Sequence, residues 1–285
     1  MRFQNSKYAV IDFTRQVPYI TFPPLSELSF IRHGFSTRLG GVSEGIFASM
    51  NLDQCPAGNE DDPEKVRINF EKIAAEIGFD PHSVVISKQV HKTNIRYVTE
   101  EDKGKGLYLP RDYDEIDGLI TDRPGITLVT KYADCVPLFF VDGKERAIGL
   151  SHSGWRGTVA KIGRVTVEEM KKHFGSRPEN LTAVIGPSIC RDCYEVSEEV
   201  AQAFRDAFSE NGYNMNHILH KNDSGSYQLN LWEANRKLLL DAGLKEEQIH
   251  VSGVCTACNS DLLFSHRKTG GKRGSLAAFL ALKEE

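Results

Sequence analysis

A cysteine and a histidine fall at matching places on two neighbouring apolar runs, and that spacing is the first sign of chemistry in the chain. The runs are Ala133-Asp134-Cys135-Val136-Pro137-Leu138-Phe139-Phe140-Val141 and Arg146-Ala147-Ile148-Gly149-Leu150-Ser151-His152-Ser153-Gly154, joined by Asp142-Gly143-Lys144-Glu145. Length and turn residues predict a β-hairpin. With Gly143-Lys144, or all four linking residues, as the loop, Cys135 stands directly opposite His152. With Asp142-Gly143 as the turn, His152 opposes Ala133, and Cys135 is one diagonal step away. Both registers keep thiol and imidazole on one face of the sheet, since a shift of two residues preserves the face. Opposed Cβ atoms lie about 5 Å apart and diagonal ones about 7–8 Å, distances that suit a shared metal ion or a thiolate–imidazole contact. The plain alternative for Cys135 is an inert buried thiol, because free cysteine is among the most buried residue types.

Directly after His152, the segment Ser153-Gly154-Trp155-Arg156-Gly157-Thr158 forms a glycine-bracketed turn into an expected helix. Small residues permit close backbone approach, a helix start offers positive potential, and Arg156 adds a bidentate partner, so a phosphate or carboxylate could sit there. A simple tight strand-to-helix turn explains the same residues.

The elements that must position these groups alternate between β and α patterns. Strands are expected over Tyr8 to Phe13, Leu28 to Phe35, Val84 to Val98 in one or two pieces, Ile116 to Thr121, Thr127 to Lys131, Val136 to Val141, Arg146 to His152, Thr182 to Ile185, Gln228 to Leu231, Ile249 to Val254 and Leu276 to Leu282. A helix opens at Asp62 with Pro63 in its first turn, buries Val66, Phe70, Ile73 and Ile77, and stops at Gly78. A second starts just after Gly157 and ends before Gly175; a third follows Ser197; a fourth runs from about Leu231 to Asp241. Hairpin-length connections interrupt any regular β-α-β alternation, which predicts an α+β sandwich of mixed sheets flanked by helices. The charged, glycine-containing stretch from Glu100 to Asp117 reads as a long surface loop bordering a site.

At 285 residues the chain exceeds the usual length of one domain, yet one large α+β domain fits, and residues 1–285 are expected to form it. The longest apolar run, Val136 to Val141, is far below the roughly 20 residues of a membrane-spanning helix. No secretory signal is readable at the start, so a cytoplasmic location with reduced thiols is expected. A net charge of -4 lacks the basic stripe that nucleic acid demands, so neither nucleic acid nor membrane is an expected partner. No oligomerisation signal is readable.

The hairpin residues also carry a resemblance. ADCVPLFFVD followed by IGLSHSGWRGT, and preceded by Gln89-Val90-His91, resemble the YfiH/YlmD laccase-domain family, a group also called multicopper polyphenol oxidoreductase-like. HGFSTRLGGVS from His33, DGLITDRPG from Asp117, IGPSIC with CYEV around Cys190 to Val196, and FSHRKTG from Phe264 extend the likeness over most of the chain. The resemblance implies a layered α-β-β-α sandwich similar to cytotoxic-necrotizing-factor-type cysteine hydrolases. It also implies that His91, Cys135 and His152 are the zinc-binding catalytic trio. The implied activity is that of a purine nucleoside phosphorylase acting on adenosine, inosine and methylthioadenosine, which also deaminates adenosine. The partners would then be a purine nucleoside and phosphate. Where family members carry a compact TGR, this chain reads Lys268-Thr269-Gly270-Gly271-Lys272-Arg273-Gly274, which leaves Arg273 without an assigned role.

Two histidines and one cysteine leave the fourth position of tetrahedral zinc open, as in catalytic sites. Zinc can bring the pKa of bound water to about 7, which would supply hydroxide to C6 of adenine. Phosphorolysis instead needs phosphate held in line with the anomeric carbon, for which Arg156, the nearby turn amides and Arg38 are the expected binding groups. Copper binds such donors more strongly than zinc and is a possible occupant, but nine histidines without His-x-His pairs do not build a multicopper oxidase centre. A rival mechanism makes Cys135 a covalent nucleophile with His152 as base, in a hydrolase or amidase editing a peptidoglycan precursor. A third reading is a non-catalytic nucleotide-sensing module. Two further pairs, Cys190-x-x-Cys193 and Cys255-x-x-Cys258, have the spacing of a four-thiolate zinc site. Their separation is long beside the usual gap of roughly 15–20 residues, and buried thiols commonly follow apolar strands.

Overall fold

Residues 3–209 and 213–284 are described by a computed structural model. The chain opens with strands β1 (Val10–Ile11) and β2 (Tyr19–Thr21), a helical turn α1 (Pro23–Ser26), strand β3 (Ile31–Ser36), helix α2 (Pro63–Ile77) and strands β4 (Val84–Ile86) and β5 (Ile95–Tyr97). Its middle holds β6 (Gly118–Thr121), β7 (Thr127–Tyr132), β8 (Val136–Asp142) and β9 (Ala147–Ser153), then helices α3 (Trp155–Val159) and α4 (Ile162–Phe174). The remainder is β10 (Leu181–Ile185), β11 (Glu195–Val196), α5 (Glu198–Phe208), β12 (Leu219–Lys221), β13 (Tyr227–Leu229), α6 (Leu231–Asp241), β14 (Ile249–Val251), α7 (His266–Thr269) and β15 (Leu276–Leu282). No helix among the described residues is long and apolar enough to cross a membrane.

Two six-stranded sheets carry the fold, one in the order β1-β2-β3-β15-β7-β4 and the other β14-β10-β8-β9-β6-β5; β11-β13-β12 form a small third sheet. Both large sheets are mixed. β4 lies parallel to β7 in the first, and β5–β6 and β10–β14 are parallel pairs in the second. Alternation along β8 explains the packing. Phe139 and Val141 join Phe35, Leu128 and Leu280 of the first sheet in one core, while Leu138 and Phe140 point the other way and meet Ile162 and Met170 of α4 and Leu238 of α6. A third core sets Val129 and Phe279 of the first sheet against Val66, Phe70 and Ile73 of α2. An unbroken apolar strand is what burial on both faces requires.

Helix α2 follows its sequence signals closely. Asp62 caps it by accepting the Glu64 amide, Pro63 opens it, and Gly78 closes it in the left-handed conformation. The hairpin register differs from both expected forms. β8 and β9 pair from Val136↔Ser153 to Asp142↔Ala147, which sets His152 opposite Pro137. Asp142 stays in the strand because its Oδ1 accepts the Lys144 and Glu145 amides at 2.9 and 3.0 Å, and Arg146 completes the loop at positive φ. The difference is an even number of residues, so Cys135, just before β8, remains diagonal to His152 on the same face.

The second expected helix also starts earlier than its periodicity indicates. Gly154 is its N-cap, α3 begins at Trp155, and Lys161 at φ 62° breaks it before α4 resumes. The Val84 to Val98 stretch divides into β4 and β5, which belong to different sheets, so residues 87–94 cross between them. The expected strand ending at Leu231 stops at Leu229 because Asn230 caps α6 through the Glu233 amide.

Candidate active site and metal centre

The site lies where the chain passes twice between the two sheets, at residues 87–94 and at 133–135. A buried acid gathers the first crossing. Asp117, fully buried before β6, accepts the amides of Val90, His91 and Lys92 at 2.9–3.0 Å and meets His152 Nδ1 at 3.0 Å. Its own carbonyl accepts the His152 amide at 2.8 Å. This ring of donors bends the backbone at His91 to φ 65°, a conformation that L-residues adopt only when the surroundings hold it. Gln89 anchors the same loop by bonding both backbone groups of Lys131 on β7.

The second crossing aims Cys135. Asp134 stands at φ 93°, and its carboxylate accepts the Thr256 hydroxyl at 2.6 Å and the Arg267 amide at 2.7 Å. Cys135 Sγ lies 3.9 Å from His91 Nε2, and the two imidazoles meet edge to face with centroids 4.9 Å apart. One ligand atom from each of His91, Cys135 and His152 falls within 4.8 Å of the others. Asp117 behind Nδ1 of His152 leaves Nε2 free for the shared point, the carboxylate–histidine support found behind metal-ligating histidines.

Burial pushes the Cys135 thiol up, but the His152 charge and hydrogen bonds with His152 and His91 bring it down to about 6. Burial works against a charged His152, yet the Cys135 thiolate and the Asp117 hydrogen bond raise it to about 9. Asp117 is held below its ordinary value despite its burial, by His152 and the loop amides. Sulfur and imidazole thus form a thiolate–imidazolium pair in the metal-free chain at neutral pH, and an ion taken up at Nε2 would displace that proton. Two nitrogens and one sulfur fit a borderline divalent ion with one coordination position left over.

Gly154 closes over this point. A Cβ there would sit 2.8 Å from His91 Cδ2 and 3.0 Å from Cys135 Sγ. A buried network of Ser153, Thr158 and Asn235 hydroxyl and amide groups fixes the turn, so it cannot back away. Gly154→Ala is expected to separate the donors and weaken binding of an added divalent ion by about tenfold or more, read by competition with a chromophoric chelator, with unchanged far-UV circular dichroism.

The trio opens into a cavity of about 810 Å³, within the usual range for small-molecule sites. Trp155 and Tyr194 line it, as do Gly106, Leu107 and Arg111 from the loop expected to border a site. Arg38 donates to the Ala48 and Ser260 carbonyls and stacks on Phe264, and Arg156 is exposed with its guanidinium over the Trp155 ring; neither lines the cavity. Lys131, Arg267 and Arg273 do. Lys131 pairs with Asp53, and Arg267 lies over Tyr194 while donating to the Glu195 carbonyl. Arg273 donates through Nη1 to Ser275 and Gly274, and its buried Nε has no protein partner.

Sequence reasoning missed Asp117 and Arg273 as site groups. Asp117 had a readable signal, an acid directly before an apolar strand. The two cysteine pairs also come together, all four sulfurs lying within 4.8 Å of one another.

Mixed sheets flanked by helices, a His-Cys-His donor point and a cavity of small-molecule size define a candidate metal-dependent enzyme on a mixed α and β fold. The chain belongs to the multi-copper polyphenol oxidoreductase laccase family, whose model matches residues 32–283. It is 38% identical over 255 residues to "Purine nucleoside phosphorylase YlmD" of Bacillus subtilis (strain 168), covering 88% of each chain. It is 34% identical to "Adenosine deaminase RL5" from an unknown prokaryotic organism, covering 84% of this chain and 90% of that one. The crystal structure of Bacillus licheniformis hypothetical protein YfiH superposes with a TM-score of 0.87 at 33% identity, over 96% of this chain and 99% of that one. Despite the family's name, neither donor group among the described residues has the histidines of a trinuclear copper cluster.

Proposed function

We propose that this chain is a zinc-dependent purine nucleoside enzyme of the cytoplasm, a single domain on a layered α-β-β-α scaffold. It splits adenosine, inosine and methylthioadenosine with phosphate and also deaminates adenosine. The observation that carries this reading is the convergence of His91, Cys135 and His152 on a cavity that also holds an arginine with an unpartnered buried nitrogen. The names of the relatives, purine nucleoside phosphorylase and adenosine deaminase, point the same way.

His91, Cys135 and His152 would hold the ion, and zinc supplies Lewis acidity there when bound; copper at the same donors would be adventitious. The chain's own residues do the rest. Asp117 keeps the proton of His152 on Nδ1 and fixes the ring. Trp155 and Tyr194 line the cavity and offer aromatic surface to a purine, whose burial there would exclude water. Arg273, which lines the same cavity as Arg267, would orient phosphate toward the anomeric carbon. In phosphorolysis a phosphate oxygen bonds to that carbon as the glycosidic bond breaks, the bonding electrons leave with the base, and the base takes up a proton. In deamination water enters at C6 and ammonia leaves.

Chromatography of adenosine reactions tests the proposal. With phosphate, adenine and ribose 1-phosphate should accumulate; without it, only inosine and ammonia. No product under either condition would leave a nucleotide-sensing module. Arg273→Gln should raise the KM for phosphate by about 10- to 100-fold, the worth of one charge-assisted hydrogen bond, while phosphate-free deamination is little changed. Equal loss of both activities would remove Arg273 from phosphate binding.

One observation favours a second reading. A low-pKa thiol, an imidazole and a buried carboxylate in a row also describe a cysteine hydrolase, with Cys135 as nucleophile and His152 as base, of the kind that would edit a peptidoglycan precursor. Turnover of a muropeptide, undiminished by chelation, would put that reading first.

A further inference from the structure

Four cysteines outside the catalytic cavity form a second donor group, and the sheet topology explains why. β10 and β14 are adjacent parallel strands, and the chain leaves both at the same end. The pairing continues past them through a parallel bridge between Ser188 and Cys255. Cys190-x-x-Cys193 follows β10 and Cys255-x-x-Cys258 follows β14, so a large sequence gap becomes a side-by-side placement. The long spacing that argued against a shared ion is simply the crossover between neighbouring parallel strands.

The sulfurs are close enough to share one ion. Cys193 and Cys258 Sγ atoms lie 3.5 Å apart, Cys190 and Cys258 Sγ atoms 4.0 Å, and all four fall within 4.8 Å. Zinc–sulfur bonds of about 2.3 Å give a tetrahedral edge of about 3.8 Å. All four cysteines are free thiols. The amides of Cys190 and Cys258 both donate to Cys255 Sγ, at 3.3 and 3.4 Å, and such bonds stabilise sulfur as thiolate. Four thiolates this close repel one another unless a cation lies between them.

We propose that Cys190, Cys193, Cys255 and Cys258 bind one zinc ion in a closed four-thiolate site, separate from the His91–Cys135–His152 centre. With every position filled by sulfur, the site is structural rather than catalytic. Its role follows from what the two loops hold. Ile189 donates its amide to the Asp134 carbonyl at 3.0 Å, and Thr256 donates to the Asp134 carboxylate. Tyr194, next to Cys193, lines the cavity. The ion therefore clamps the two loops that keep Asp134 in its strained conformation and so aim Cys135. This inference stands whether or not the chain acts on nucleosides.

The test uses Cys135→Ala protein, in which the catalytic centre has lost its sulfur. Elemental analysis after desalting should find about one zinc per chain. A thiol reagent should then modify Cys55 readily and the other four cysteines only after a strong chelator is added. Cobalt substitution should give the intense sulfur-to-metal charge-transfer and red-region bands of a tetrahedral thiolate site. Cys193→Ser combined with Cys135→Ala should abolish those bands. If that protein does not fold, the single-variant metal content and thiol counts still decide. Absence of tightly held metal in Cys135→Ala, five freely reactive thiols, a mass two hydrogens low from a disulfide, or native iron in place of zinc would each overturn the proposal.

Discussion

Cys135→Ala protein should retain no zinc at the catalytic centre and should lose phosphorolysis of adenosine by about a thousandfold or more, equivalent to about 4 kcal/mol of transition-state stabilisation. The sulfur is one of three donors, and two imidazoles alone leave the ion loosely held. The fold should survive, because Cys135 is only partly buried and lies outside any strand. Steady-state kinetics beside elemental analysis checks the expectation. Full phosphorolysis by Cys135→Ala would show that the ion, if present, has no part in turnover.

Asp117→Asn should be the most damaging change outside the trio. The carboxylate accepts three loop amides and one imidazole, and an amide side chain must turn a donor toward at least one of them. A buried donor facing a donor, with His152 released from its orientation, should lower zinc affinity by about 10- to 100-fold and stability by about 3 kcal/mol. Because Asp117 is held below the ordinary carboxylate range, its contribution is complete at neutral pH and is lost as the pH falls through its folded value. The stability gap between wild type and Asp117→Asn, measured by urea unfolding, should therefore be largest near neutrality and narrow on acidification. A gap that widened in acid would contradict this role.

How much of this was legible beforehand depends on whether a residue's place is set locally. Cys135 and His152 share a hairpin, so parity alone put them on one face, and the parity outlasted an error in register because Asp142 and Arg146 shifted the loop by an even number of residues. His91 has no such local tie. Its position follows from a left-handed backbone at the crossing between sheets, held by an acid 26 residues on, and periodicity carries no trace of that. It was accessible only through the Gln89-Val90-His91 resemblance. The cationic groups have no local tie either. Arg38 and Arg156 sit in glycine-rich turns that look suited to ligands, but one guanidinium is bound to backbone carbonyls and the other stacks on Trp155 at the surface. Arg273 reaches the cavity because β15, the strand after it, pairs with β7, whose end leads to Cys135. Likewise, the two cysteine pairs read as distant in sequence and are neighbours only because β10 and β14 run in parallel. The main strands and the amphipathic helices were readable because their burial follows simple periods; contacts between distant loops were not.

The central claim is that one ion held by His91, Cys135 and His152 is required for turnover of a nucleoside. Chelator-stripped protein, given zinc back in steps, tests it most directly when adenine release and bound metal are measured in the same samples. The account predicts no phosphorolysis in the stripped protein and a return of activity that tracks the one ion per chain that Cys135→Ala cannot bind. Undiminished phosphorolysis by protein free of metal would contradict it.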